Sequence, residues 1–322
     1  MLNQREGVVN GKISVAMPVF NRAEWVGQTL DHIFSQTVSV DEVVLCDDGS
    51  TDNLEAALEP FRDRITLVRI DNSGPAIARK TAIEHASGDW IALCDSDDFW
   101  ESHHIETFIR AQRLYPECDF YFCDFKQSDQ EGTTKFQQSP ENWLTDFAQK
   151  PVTRDDSFLE SRQSLIKSLL DYQACFQSCL IFRKALYEKV GGIKPYVSRW
   201  RSEDLHLTAR MAAQAKAVIG LEPTVMINKH SDNFSSEYIK NLKGEVDILM
   251  DILDQKLVPQ RSLDVISEQL INFKRKLFRA HYWSGQYGEA VVVARQLPSG
   301  CLKARDSVRL TISRGFCMWR RA

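Results

Sequence analysis

Short apolar, β-branched runs alternate with segments of helical spacing through the first hundred residues, and this alternation constrains the fold more than any other feature. Ile13–Val19, Glu42–Cys46, Ile65–Ile70 and Trp90–Cys94 read as strands. Between them, helices are expected over Glu24–Ser35, where Trp25, Leu30, Ile33 and Phe34 fall near helical spacing, over Leu54–Leu58 with Thr51 or Asp52 as N-cap, and over Ala76–Ala86, closed by Gly88. Strands joined through helices pair in parallel and carry the helices on their faces. The expectation is an α/β domain with a mostly parallel central sheet flanked by helices.

Beyond residue 100 the pattern loosens. Glu101–Leu114 reads as a helix, with His103 and His104 on its exposed first turn, and Asp119–Phe125 as a strand of alternating aromatics. Residues 126–160 are polar, interrupted by Pro140 and Pro151, and read as a long loop. Residues 161–171 look helical, Cys175–Phe182 is an apolar run, a helix begins near Glu203, and strands follow at Ala217–Ile219 and Thr224–Ile227. Strand signals stop at Glu237, which places a domain over residues 1–235 and a helical region over 236–322. In the latter, Leu263–Arg279 and Tyr287–Leu297 flank Trp283-Ser284-Gly285-Gln286 like a helical hairpin, too little for a repeat array.

Composition narrows the function classes. With 43% hydrophobic and 26% charged residues among 322, the chain is globular, and a net charge of −4 gives no basic field for a nucleic acid. The longest uncharged run, Tyr172–Phe182, has 11 residues, short of the roughly 20 that cross a bilayer. The N-terminus is polar and lacks a signal-peptide apolar stretch, so a cytoplasmic location is expected. Eight cysteines without a CxxC pair read mostly as buried apolar residues of a reducing compartment.

Two acidic turns carry the chemistry. Asp95-Ser96-Asp97-Asp98 follows the apolar strand Trp90–Cys94, and Asp47-Asp48-Gly49-Ser50-Thr51-Asp52 follows the second strand. Both fall at the carboxyl edge of a parallel sheet, where ligands bind in open α/β folds. Like charges gathered there call for a cation, and Mg²⁺ or Mn²⁺ held by one or two carboxylates plus substrate phosphates would supply it. Either turn taken alone also suits a surface turn that caps the next helix.

With Pro18-Val19-Phe20-Asn21, Gly74-Pro75-Ala76-Ile77-Ala78-Arg79 and Gly88-Asp89-Trp90-Ile91-Ala92-Leu93 in the same order, the chain resembles family 2 glycosyltransferases. The likeness is close over residues 13–98 and looser to about 235. It implies a GT-A fold, a nucleotide-sugar donor, a divalent metal, Mn²⁺ or Mg²⁺, and transfer with inversion to a saccharide or lipid-linked acceptor. By the same resemblance Pro18, Phe20 and Asp48 line the base, Asn21, Arg79 and Ser96 belong to the donor site, and Asp95 contacts the ribose or sugar. Asp97, with Asp98 and His230, would hold the metal. Lys80 and Pro75 depart from the family pattern and would retune the donor pocket.

Glu203-Asp204 resembles the family's catalytic element, which makes Asp204 the base that deprotonates the acceptor and Glu203 its orienter; acids in a first helical turn also suit the helix dipole alone. A nucleotidyltransferase would carry a Gly-rich basic loop after the first strand, where Pro18–Asn21 stands instead. A catalytically inactive GT-A scaffold is the non-enzymatic alternative, and Asp97, Asp204 and His230 together weigh against it. Cys301–Ala322 carries six basic residues and one acid, Asp306, interleaved with Val308, Ile312, Phe316 and Trp319. It suits either a peripheral contact with a membrane or a helix packed with its basic face outward.

Overall fold

The computed structural model describes residues 11–147, 157–161, 165–229 and 237–319. These form two compact units. One holds the described residues up to Ser198 and those from Leu207 to Lys229; the other holds Arg199–His206 and the helices from Tyr238 onward. The chain therefore passes between units around residues 199–206 as well as near 235.

In the first unit, β1 (Ile13–Val19), β2 (Glu42–Asp47), β3 (Thr66–Arg69) and β4 (Trp90–Leu93) run parallel in the order β3-β2-β1-β4. Their crossovers are α1 (Val26–Phe34), α2 (Leu54–Leu58) and α3 (Pro75–His85). Every residue of β1 and β4 is buried, as expected for strands covered on both faces. Register sets the site: Val19 pairs with Asp47, so Phe20 and Asp48 leave the sheet side by side.

The remainder is β5 (Phe99–Trp100), α4 (His104–Leu114), β6 (Phe120–Gln127), α5 (Trp143–Phe147), β7 (Phe158–Glu160), α6 (Ile166–Asp171), β8 (Leu180–Arg183), α7 (Lys184–Lys189), the part of α8 (Asp204–Ala212) from Leu207 on, and β9 (Ala217–Ile227). The sheet continues β4-β8-β6-β9-β5, with β7 on β9. The nine-stranded sheet is mixed, since β8 runs antiparallel to both β4 and β6, while β6 and β9 pair in parallel again beyond it.

Three local expectations change. The stretch 126–160 is not all loop, since α5 and β7 lie within it and Phe158 is fully buried. The two short strands near 220 are one element, β9, whose register against β6 shifts where Glu222-Pro223 interrupts the pattern. His104 is not on an exposed turn: it is buried, its Nδ1 lies 2.8 Å from Thr224 Oγ1 and its ring contacts Trp100, while His103 stays half-exposed beside Glu222 at 2.9 Å. The first turn of α4 packs toward β9, a partner 120 residues away that local spacing does not reveal.

Among the described residues the cysteines form no disulfide, and Cys46, Cys94, Cys118, Cys123 and Cys179 are buried. Burial pushes the Cys46 thiol up to about 11 and that of Cys118 to about 12.

The second unit stacks α9 (Tyr238–Asp254), α10 (Gln260–Trp283), α11 (Tyr287–Arg295) and α12 (Ala304–Trp319), each against the next. Ile248, Leu249 and Ile252 of α9, Ile266, Phe273 and Phe278 of α10, and Ala290 and Val293 of α11 form its buried apolar set. Among the described residues no helix is long and apolar enough to cross a membrane.

Candidate active site

The strand order reverses between β1 and β4, so the crevice beyond their carboxyl ends is the place where this topology binds ligands. Arg22, three residues beyond the end of β1, spans it. Its Nε lies 3.1 Å from Asp97 Oδ2, both side chains being partly exposed. Beside it, Arg79 rises from α3 and donates from Nη2 to Asp95 Oδ1 at 2.9 Å. Arg79 is buried, whereas the Asp95 side chain is 38% exposed, so the guanidinium holds the carboxylate from within and leaves it open to a ligand.

The second acidic turn is wired to the first strand. Asn21 adopts φ 50°, in the left-handed region that Asn tolerates better than most side chains. Its N–H donates to Ser50 Oγ and its Oδ1 accepts from Thr51 N–H at 2.8 Å. Asp52 Oδ2 accepts from Ala23 N–H. Thr51 and Asp52 therefore clip the turn to Asn21 and Ala23 instead of capping the next helix, whose N-cap is Asn53. Gly49, at φ 75°, is crowded: a Cβ would stand 3.0 Å from the Asn72 nitrogen.

Asp48 is buried, and its two oxygens accept the N–H groups of Ser73 at 2.7 Å and Gly74 at 2.9 Å, tying this turn to the start of α3. A carboxylate has about four acceptor sites, so this leaves capacity for a further donor. Pro18 is buried inside β1, while Phe20 is 41% exposed at its end. Ser96 is buried, and its carbonyl accepts from Thr29 Oγ1. Lys80 is paired with Glu84 on its own helix.

Asp98 faces inward. Its oxygens accept from Ser178 Oγ and from Asn228 N–H, and its pKa is pushed well up, first by burial and then by the charges of Asp95 and Asp97. Ser178 also accepts Asp95 N–H at 2.9 Å, so one buried hydroxyl fixes both ends of the acidic turn. Sequence reasoning missed Ser178, whose only context is an apolar run 80 residues downstream. It also missed Arg22, which its place beside Pro18–Asn21 could have flagged.

Glu203 and Asp204 lie in the second unit, at the start of α8. Glu203 is buried, and Asp204, partly exposed, accepts from Leu205 N–H at 3.0 Å. His230 lies outside the described residues. Among those described, no three His, Cys, Asp or Glu side chains gather to hold a metal ion. Asp95 and Asp97 still fit one in another way. Both are hard oxygen donors with at least partial solvent access, and Mg²⁺ is commonly bound through one or two carboxylates plus substrate phosphates. Asp98, buried beneath them, braces the turn through Ser178 and Asn228.

The family model described as Glycosyl transferase family 2 matches residues 14–191, more than half of the chain and all of the turns above. The chain belongs to glycosyltransferase family 2. Within the family, it is 32% identical over 144 residues to the Bacillus subtilis (strain 168) glycosyltransferase TuaG, named for teichuronic acid biosynthesis, covering 43% of this chain and 57% of TuaG. It is 36% identical over 99 residues to the Escherichia coli UDP-Glc:alpha-D-GlcNAc-diphosphoundecaprenol beta-1,3-glucosyltransferase WfgD, covering 30% of this chain and 39% of WfgD. The chain thus spans less than two thirds of these relatives. Among solved structures, residues 1–349 of S. aureus TarS in complex with UDP superpose with a TM-score of 0.60 at 19% identity, covering 83% of this chain and 72% of that one. The shared architecture is the GT-A type of α/β fold.

Proposed function

We propose that the chain transfers a sugar from a nucleotide-diphosphate donor, a UDP-sugar by preference, to a hydroxyl of a glycan or lipid-linked saccharide, with inversion at the anomeric carbon. The observation that carries this reading is the pair of partly exposed carboxylates, Asp95 and Asp97, each steadied by a guanidinium at the β1/β4 switch point. WfgD's name specifies a UDP-sugar and a diphosphate-lipid acceptor, and TarS was solved with UDP; both support the donor and acceptor classes proposed.

In this reading the exposed ring of Phe20 offers a face to the base, and Asp48 offers its spare acceptor sites to a base N–H. Asp95, held by Arg79, accepts from the ribose or sugar hydroxyls. Asp97, with Asp95 beside it, would hold Mn²⁺ or Mg²⁺, which when bound neutralises the diphosphate as a leaving group. Asp204 takes the proton from the acceptor hydroxyl as its oxygen bonds the anomeric carbon, and the bond to the diphosphate breaks on the opposite face. The first turn of α8 favours the ionised carboxylate that this task needs.

A thermal-shift screen of UDP-, GDP-, dTDP- and CMP-sugars with Mn²⁺ tests the reading. A true donor at 100 times its Kd adds about 2.7 kcal/mol of stability. Stabilisation by one nucleotide class, lost in Asp95→Ala, is expected; no stabilisation by any class overturns the proposal.

A further inference from the structure

Helix α12 packs the opposite way round from a helix held by apolar contacts. Its buried positions are Asp306 and Ser313, both fully enclosed, with Leu310 and Cys317 half-buried on the same side. Asp306 is gripped by Arg279 of α10, whose Nε and Nη2 reach its oxygens at 3.0 and 2.7 Å, and by Arg309 one turn on. The apolar stripe is left outside. Val308, Ile312 and Phe316 recur every four residues along one exposed face, at 60%, 40% and 44% exposure. Tyr287 of α11 stacks on Phe316 with ring centres 4.6 Å apart, and Trp283, 71% exposed, lies 5.3 Å from the Arg309 guanidinium. Isolated apolar side chains on a surface need no explanation, but a helical stripe continued by two aromatics does.

The exposed charge on α12 itself is of one sign. Lys303, Arg305 and Arg314 are exposed on α12 and the turn before it, Arg309 is half-buried at the stripe's margin, and the helix's one acid is the enclosed Asp306. A second copy of this face would bring like charges together, whereas a negatively charged lipid surface complements them. Apolar anchors flanked by Lys and Arg are what an interfacial helix presents to such a surface. We propose that the Val308–Ile312–Phe316 face of α12 docks on an anionic lipid membrane. This docking depends on α12 and its immediate neighbours, and so stands or falls separately from sugar transfer.

Co-sedimentation of the full chain with phosphatidylcholine vesicles, with and without phosphatidylglycerol, tests it. Binding to the anionic vesicles, weakened by salt, is expected. Val308→Asp/Ile312→Asp should reduce it at least tenfold with an unchanged thermal midpoint. Arg305→Ala and Arg314→Ala, which leave the stripe intact, should each cost about fivefold. If the apolar variant misfolds, the arginine variants decide. Equal binding to neutral and anionic vesicles, or unchanged binding in the variants, overturns the proposal. So does concentration-dependent self-association abolished by Val308→Asp/Ile312→Asp, which would assign the stripe to a second copy.

Discussion

Asp95 and Asp97 each accept from a guanidinium, but their surroundings differ. Arg79 is buried behind Asp95, whereas Arg22 and Asp97 meet in a partly exposed pair worth about 0–1 kcal/mol. A divalent ion at Asp97 would therefore displace Arg22 cheaply. Arg22→Ala should tighten Mn²⁺ binding up to about fivefold by calorimetry, and Asp97→Ala should abolish Mn²⁺-dependent donor binding with the fold intact. Metal-dependent affinity persisting in Asp97→Ala would move the ion elsewhere. Gly49 sets the same turn through its backbone. At φ 75°, and with the Asn72 nitrogen 3.0 Å from where a Cβ would stand, a side chain at this position is strained both by its backbone angle and by its neighbour. Gly49→Ala should cost about 1–2 kcal/mol in urea unfolding and weaken donor affinity as well.

At the scale of elements, α12 is held by its Asp306 contacts. Arg279 first, and Arg309 after it, keep the Asp306 carboxyl below its ordinary range. A depressed folded pKa contributes stability that is present above the unfolded value of about 3.9 and lost as pH falls through the folded one. Asp306→Asn should therefore be less stable by about 1–2 kcal/mol at pH 7, with the gap to wild type closing on acidification below about pH 4. A gap that stayed constant with pH would assign the contact a purely steric role. The same scale shows what was legible in sequence. Strands β1 to β4 and both acidic turns could be read because each is specified by close neighbours in the chain: apolar runs, then Asp, Gly and Ser. The helical hairpin of α10 and α11 was equally local. Ser178, the burial of His104 and the insertion of β8 antiparallel beside β4 depend on partners about 80 to 120 residues away, which no local spacing encodes.

For the whole molecule, the path of the chain divides the residues of the proposed function between two units. Residues proposed for the donor lie in the first unit, while Glu203 and Asp204 sit in Arg199–His206, which belongs to the unit built by the C-terminal helices. Inside that unit α9 fixes the segment: Arg201 pairs with Glu237 at 2.8 Å, and His206 Nε2 lies 3.1 Å from Asp251 Oδ2. Gly244 lets α9 close on the Arg201 backbone, since a Cβ at 244 would stand only 2.1 Å from the Arg201 carbonyl oxygen. If Asp204 is the base, disturbing α9 should be felt in proton transfer and not in donor affinity. Asp204→Asn should lower transfer about 10²–10⁴-fold while donor Kd holds. Gly244→Ala, far from Asp204 in sequence, should reproduce part of that loss by shifting the segment, with donor Kd again unchanged. His206→Gln offers a milder disturbance if Gly244→Ala folds poorly. Wild-type transfer rates in both, measured beside an unchanged donor Kd, would sink the idea that α9 positions the base.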